Sequence, residues 1–332
     1  MDNEHPSSAH PTPPATDPGP VGPTPPPRRR GPRSAPPGVP YHRVLATEKR
    51  QFWRGVAALL LLLAGLFAFS LGFGALGLFA ESALGLTDPT SDDIEITPVS
   101  QATALFSLAL LLPWSMLVQR WVYKVEGVSL HSVRSFFRFD LMARALLVVL
   151  PVWTVYMVAL NMFLPYGEGH WSSFDLFATF AIVIVLTPLQ SAGEEYGFRG
   201  LAFRVAASWG RGPRTALFLG VVVSSLLFMV VHLALDPWLN LYYFSLGATL
   251  ALLTWRTGGL ELAVVVHAVN NTVAFLLVLI TRTDLAEGMD RSVGTGSPVL
   301  LLPCVLLLVF TAVVWRRDRR SGPPLTTGPP PA

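Results

Sequence analysis

The chain has 332 residues, of which 52% are hydrophobic and only 14% charged, with a net charge of +3. A soluble chain of this length carries roughly a quarter of its residues charged, so composition excludes an ordinary water-soluble globule and points to a lipid solvent. The single cysteine, Cys304, excludes an internal disulfide framework and any cysteine-rich metal site, and no charge pattern calls for a nucleic-acid partner.

Residues 1–45 are rich in Pro, Ser and Thr and include the run Arg28, Arg29, Arg30. Such a composition cannot bury a core, so this cytoplasmic arm is expected to be disordered and solvated. No short apolar stretch with a small-residue cleavage site precedes the first long apolar run, and a signal peptide is not expected. A transmembrane helical domain follows over 52–316, and 317–332 form a second polar, Pro-rich tail.

Eight apolar runs are read in chain order, near 55–79, 102–118, 145–163, 174–190, 215–235, 241–255, 260–280 and 298–315. The fold class is therefore all-α, a polytopic membrane helix bundle of about eight spans. The sixth run is short for a full span. Lys and Arg concentrate in alternate loops: Arg120, Lys124, Arg134, Arg138 and Arg144 after the second run, and Arg199, Arg204, Arg211 and Arg214 after the fourth. Arg256 follows the sixth, and Arg316, Arg317, Arg319 and Arg320 the last. Retention of positive charge on the inner side places both termini in the cytoplasm of a multi-pass protein of the cell membrane.

Polar groups inside apolar runs are costly and mark function by default. Of seven histidines, His5, His10, His42, His131 and His170 fall in the arm or loops and read as solvated; His232 and His267 lie in apolar runs. The segment Gly193 to Gly200 carries Glu194, Glu195 and Arg199. Glu195 and Arg199 stand four apart with the acid first, the orientation that favours an ion pair. Glu194 is rotated about 100° from its neighbour and is left free to act. Gly193 and Gly197 form a small-residue pair that admits a close neighbouring helix. Phe228 with His232, and His267 with Asn271, repeat the same four-residue spacing.

This ordered set, Glu194-Glu195-x-x-x-Arg199, Phe228-x-x-x-His232 and His267-x-x-x-Asn271, resembles the CAAX-protease and bacteriocin-processing (CPBP, or Abi) family of intramembrane endopeptidases, related to the type II CAAX prenyl protease. The resemblance covers 174–280. It implies hydrolysis of a peptide bond in a membrane-associated peptide or protein. Glu194 would activate water, His232 hold it, His267 and Asn271 stabilise the oxyanion, and Glu195, Arg199 and Phe228 support them. Glu194, His232 and His267 would also suit a divalent metal such as zinc, and the family has been described both as metalloproteases and as metal-free glutamate proteases.

Two expectations remain open at this level. A straight fifth run starting near Arg214 would carry His232 about 27 Å away from a Glu194 at the near end of its own helix. Either the fifth span starts well inside the cytoplasm, or 191–209 folds back into the membrane. The rival class is a non-enzymatic immunity or scaffold protein, or a transporter, although the polar residues are confined to the second half and show no inverted repeat. The Pro-, Ala- and Arg-rich composition suggests a bacterial chain. The expected partners are the lipid bilayer and a peptide or membrane-protein substrate; oligomeric state is not legible.

Overall fold

The computed structural model describes residues 31–86, 96–162, 167, 169–317 and 322–327. Eight long helices run through it: α1 (Phe52–Leu84), α2 (Pro98–Tyr123), α3 (Phe139–Asn161), α4 (Ser173–Ser208), α5 (Pro213–Val231), α6 (Pro237–Thr257), α7 (Glu261–Thr281) and α8 (Pro298–Arg317). Among the described residues there is no β-strand, only isolated bridge pairs. The chain is a multi-pass membrane protein. Its outer faces carry exposed side chains such as Leu71, Phe79, Leu147, Val155, Phe174 and Phe177, an inside-out pattern that only lipid satisfies.

Seven of the eight helices are long and apolar enough to cross a membrane. The exception is α6, the run expected to be short. It has 21 residues but includes Asn240, Tyr242, Tyr243, Thr254 and Arg256. It packs against α5, α7 and α8, so protein rather than lipid covers much of it and a continuous apolar sequence is not required. Alternate connections gather at opposite ends of the bundle. At one end Val133 N donates to Gly258 O and Leu260 N to His131 O; at the other Leu235 N donates to Arg291 O and Gly169 N to Arg282 O.

The arm differs from expectation where it is described; residues 1–30 lie outside the described residues. Residues 33–45 are packed, with Tyr41, Val44 and Leu45 buried. Arg33 pairs with Lys124 and Glu126, and Gly38 and Val39 pair with Thr326 of the tail. Tyr41 Oη donates to Leu130 O at 2.6 Å, and Arg43 to Gly210 O at 2.8 Å. A Pro-rich segment cannot make its own core, yet it can bury alternate side chains in extended form against one that already exists. His42 is accordingly buried against Phe203 and is not solvated. His131 is likewise half-buried and hydrogen-bonds Tyr196.

The depth problem resolves through α4. At 36 residues it is about 54 Å long, well beyond the roughly 30 Å of a hydrocarbon core. Residues 191–208 continue the helix through a π-helical stretch, Tyr196–Ala202, and do not fold back. Helix α5 starts from the far tip of α4 and runs back along it, which brings Phe228 to 5.4 Å from Phe198. Of the two alternatives, a fold-back of 191–209 is not adopted, and the fifth helix begins at the far tip of the extended α4.

Candidate active site

Helices α4, α5 and α7 supply the polar groups, and each is fixed locally. Gly193 lets α4 touch α2, because a Cβ there would run into Leu108 O and lie 2.9 Å from Ala109 Cα. Gly197 faces Leu62 and Ser115 instead, so the glycine pair admits two neighbours and not one. The wide π turn that follows keeps Tyr196 to Ala202 buried, a local form that recurs at functional sites. Helix α7 is pinned at its first residue: Arg138 Nε and Nη2 reach Glu261 Oε1 and Oε2 at 2.8 and 2.7 Å, a two-point guanidinium–carboxylate pair.

The His267 ring sits between the two adjacent glutamates. Its Nδ1 is 2.7 Å from Glu195 Oε1, and its Nε2 is 3.5 Å from Glu194 Oε2. Neighbouring residues on a helix point about 100° apart, so one ring wedged between them presents a different nitrogen to each. Glu195 Oε1 also takes Arg199 Nη1 at 3.0 Å, which makes Glu195 a bridge between the guanidinium and the imidazole. Arg199 in turn lies 3.9 Å over the Phe228 ring. Glu195 and Arg199 are fully buried, and Glu194 Oε2, Glu195 Oε2 and the Arg199 nitrogens make no hydrogen bond among the described residues.

His232 caps the end of α5. Its Nδ1 is 2.6 Å from Phe228 O and must donate there, which leaves Nε2 as an acceptor. Phe228 packs edge-on against that ring at 4.5 Å, and Tyr243 of α6 stacks on it at 4.0 Å. Arg291, from the loop before α8, donates to His232 O at 2.7 Å. All seven residues singled out from sequence thus fall into one connected neighbourhood. Glu194, His232, His267 and Asn271 line a cavity of about 670 Å³ whose remaining wall is largely apolar, and Phe228 forms part of that wall.

Sequence reasoning missed several residues. Gln190 accepts from Asn271 Nδ2 at 3.3 Å, and Asn270 is tied to Asn271, Trp153 and Tyr242. A signal existed for Gln190, a polar residue one turn before Glu194 on an apolar helix. Trp153 and Tyr242 gave none, since aromatic residues are ordinary in such helices. On the rim behind the site, burial holds the His131 imidazole below its ordinary range, and His131 bonds to the Tyr196 hydroxyl next to Glu195.

The donor chemistry suits a divalent cation. Each histidine donates Nδ1–H to an oxygen, a carboxylate for His267 and a carbonyl for His232, which leaves Nε2 unprotonated on a ring that lines the cavity, the second-shell arrangement of metal-binding imidazoles. No group of three histidine, cysteine or acidic side chains among the described residues stands close enough to form a finished cage.

Residues 174–273 match the model of the family described as type II CAAX prenyl endopeptidase Rce1-like. This is the region in which the three motifs were read, and it bears out the resemblance. Among curated proteins the chain is similar to "Uncharacterized protein YyaK" of Bacillus subtilis (strain 168), 32% identical over 153 residues. That similarity covers 42% of this chain and 49% of the relative, so the chain spans about half the length of the curated protein it matches. No solved structure matches the chain.

Proposed function

From a chain whose residues 174–273 are Rce1-like, we propose that this protein is a membrane endopeptidase that hydrolyses a peptide bond of a membrane-associated peptide or protein with Glu194 as general base. One observation carries the reading: Glu194 Oε2 stands 3.5 Å from His267 Nε2 on the wall of a large cavity that His232 and Asn271 also line.

In the reaction, a water is held by His232 Nε2 and the Glu194 carboxylate. Glu194 takes a proton as the water oxygen attacks the scissile carbonyl carbon, and the carbonyl electrons move to oxygen. An N–H of Asn271 faces that oxyanion beside the His267 ring, which Glu195 holds in place. Collapse re-forms the carbonyl, breaks the C–N bond and passes the proton from Glu194 to the departing amine. Arg199 and Phe228 keep Glu195 and the two rings in register. A divalent cation held by Glu194, His232 and His267 would, when bound, supply Lewis-acid polarisation and a more acidic water.

The apolar wall of the cavity and the bilayer around it favour a hydrophobic or lipid-anchored peptide as substrate. The Arg- and Lys-rich loops gathered at one end favour a cytoplasmic placement of that end and of both termini. The test is cleavage of a quenched fluorescent peptide library by the detergent-purified protein. Cleavage that disappears in both Glu194→Ala and His267→Ala supports hydrolysis here, and loss on adding a chelator favours the metal-dependent form. Equal background from folded wild type and variants would move the scaffold reading ahead.

A further inference from the structure

Beside Asn271 lies a chain of hydrogen bonds whose direction is set by chemistry. Trp153 of α3, almost wholly buried, donates its indole N–H to Asn270 Oδ1 at 3.2 Å, and Tyr242 Oη meets the same oxygen at 3.1 Å. An indole nitrogen can only donate, so Trp153 decides which end of the Asn270 amide is oxygen. Asn270 Nδ2 must then face Asn271, and it donates to Oδ1 there at 3.1 Å. Asn271 Nδ2 is turned to Gln190 Oε1 at 3.3 Å, an oxygen that also takes the Ser191 hydroxyl at 3.2 Å. Gln190, whose oxygen is so engaged, stands one helical turn before Glu194.

We propose that Trp153 and Asn270 are positioning residues for the reaction, acting through two amides to hold an N–H of Asn271 toward the cavity and to fix the Gln190 side chain one helical turn before Glu194. This deepens the hydrolytic reading and rests on it for its kinetic consequence. Neither residue belongs to the three motifs. An inter-helix bond that merely joins α3 to α7 would affect stability alone, because nothing would pass beyond Asn270. A directed chain transmits the loss of one donor to amides it does not touch.

Three variants separate the two roles. Trp153→Phe keeps a ring but removes the donor; Asn270→Asp keeps the acceptor and shape but removes the N–H; Gln190→Leu severs the far end. The chain predicts that Asn270→Asp lowers kcat by about 10- to 100-fold with KM changed less than about 3-fold. In the Gln190→Leu background the same change should add less than about 2-fold, since coupled groups are not additive. A second readout does not need turnover: in the full-length protein in detergent, labelled at Asn and Gln side-chain amides, Trp153→Phe should move the Gln190 resonance. A stationary Gln190 resonance, or kinetic effects that multiply independently, would overturn the chain while leaving hydrolysis standing. A wild type that cleaves nothing overturns the hydrolytic reading, and with it the catalytic consequence proposed here.

Discussion

Arg199 and Arg204 sit five residues apart on α4, each preceded by Phe, each fully buried, each 3.9 Å from an aromatic ring. Their polar partners separate them. Arg199 pairs with Glu195, whose carboxylate also holds the His267 ring at the cavity wall. Arg204 has neutral acceptors, Gln119 Oε1 at 3.3 Å, Ser129 Oγ at 3.1 Å and Ser129 O at 2.7 Å, with Tyr41 of the N-terminal strap over its face. The first ties a helix to a reacting centre, and the second ties the same helix to the loop and strap that close its end. Burial and residue type are the same at both places, so it is what a buried charge is paired with, and what that partner touches next, that assigns the role.

The largest effect should come from the chemical end. Glu194→Ala is expected to lower kcat by about 10²–10⁴-fold while the detergent melting temperature stays within a few degrees, because the carboxylate lines the cavity and its contact with His267 Nε2 is long, at 3.5 Å. Arg199→Met should cost both quantities. It leaves Glu195 buried beside a neutral side chain, a loss of about 3–5 kcal/mol, and frees the His267 ring. Arg204→Met sharpens the contrast: its three acceptors each lose a donor, at about 1–3 kcal/mol per group before they repack, yet kcat of the folded fraction should stay within about 3-fold of wild type. Thermal melts set beside initial rates would read both. Equal losses of activity in the two arginine variants would dissolve the distinction.

The distinction was legible in the sequence on one side only. Eight apolar runs and alternating basic loops show the bundle because lipid imposes both, and α6 departs from the pattern only because its neighbours replace lipid. His232, His267 and Asn271 stand out because polar groups are rare in such runs, and Glu194, Glu195 and Arg199, just past the fourth run, because their spacing completes the set. Arg204 was placed in a loop, since a basic residue past an apolar run reads as an end. Nothing local says that α4 extends to Ser208 or that a Pro-rich segment covers it. His42 and His131 were read as solvated for the same reason: their burial is created by residues distant in sequence. Trp153 and Tyr242 look like ordinary apolar filling until their hydrogen-bond partners are seen.

Smaller effects probe the strap. Burial, with Arg43 and Arg204 nearby, pushes the His42 pKa down from 6.5 to about 4. Below about 6.5 the unfolded chain therefore takes up a proton that the folded chain refuses. Stability is full above that pH and falls progressively as pH drops toward 4, with His131 acting in the same direction. His42→Phe should flatten this acid slope in melts taken from pH 7 to pH 4; an unchanged slope would place the titration elsewhere. The smallest change is Tyr41→Phe, which removes the bond to Leu130 O and should cost about 1 kcal/mol, checked by denaturant or thermal titration.

The most direct measurement is a side-by-side rate comparison of wild type, Glu194→Ala and Arg204→Met on one lipid-anchored fluorescent peptide, at equal amounts of folded protein. The account predicts cleavage by wild type and Arg204→Met, and none above background by Glu194→Ala. Cleavage by Glu194→Ala at the wild-type rate would contradict it.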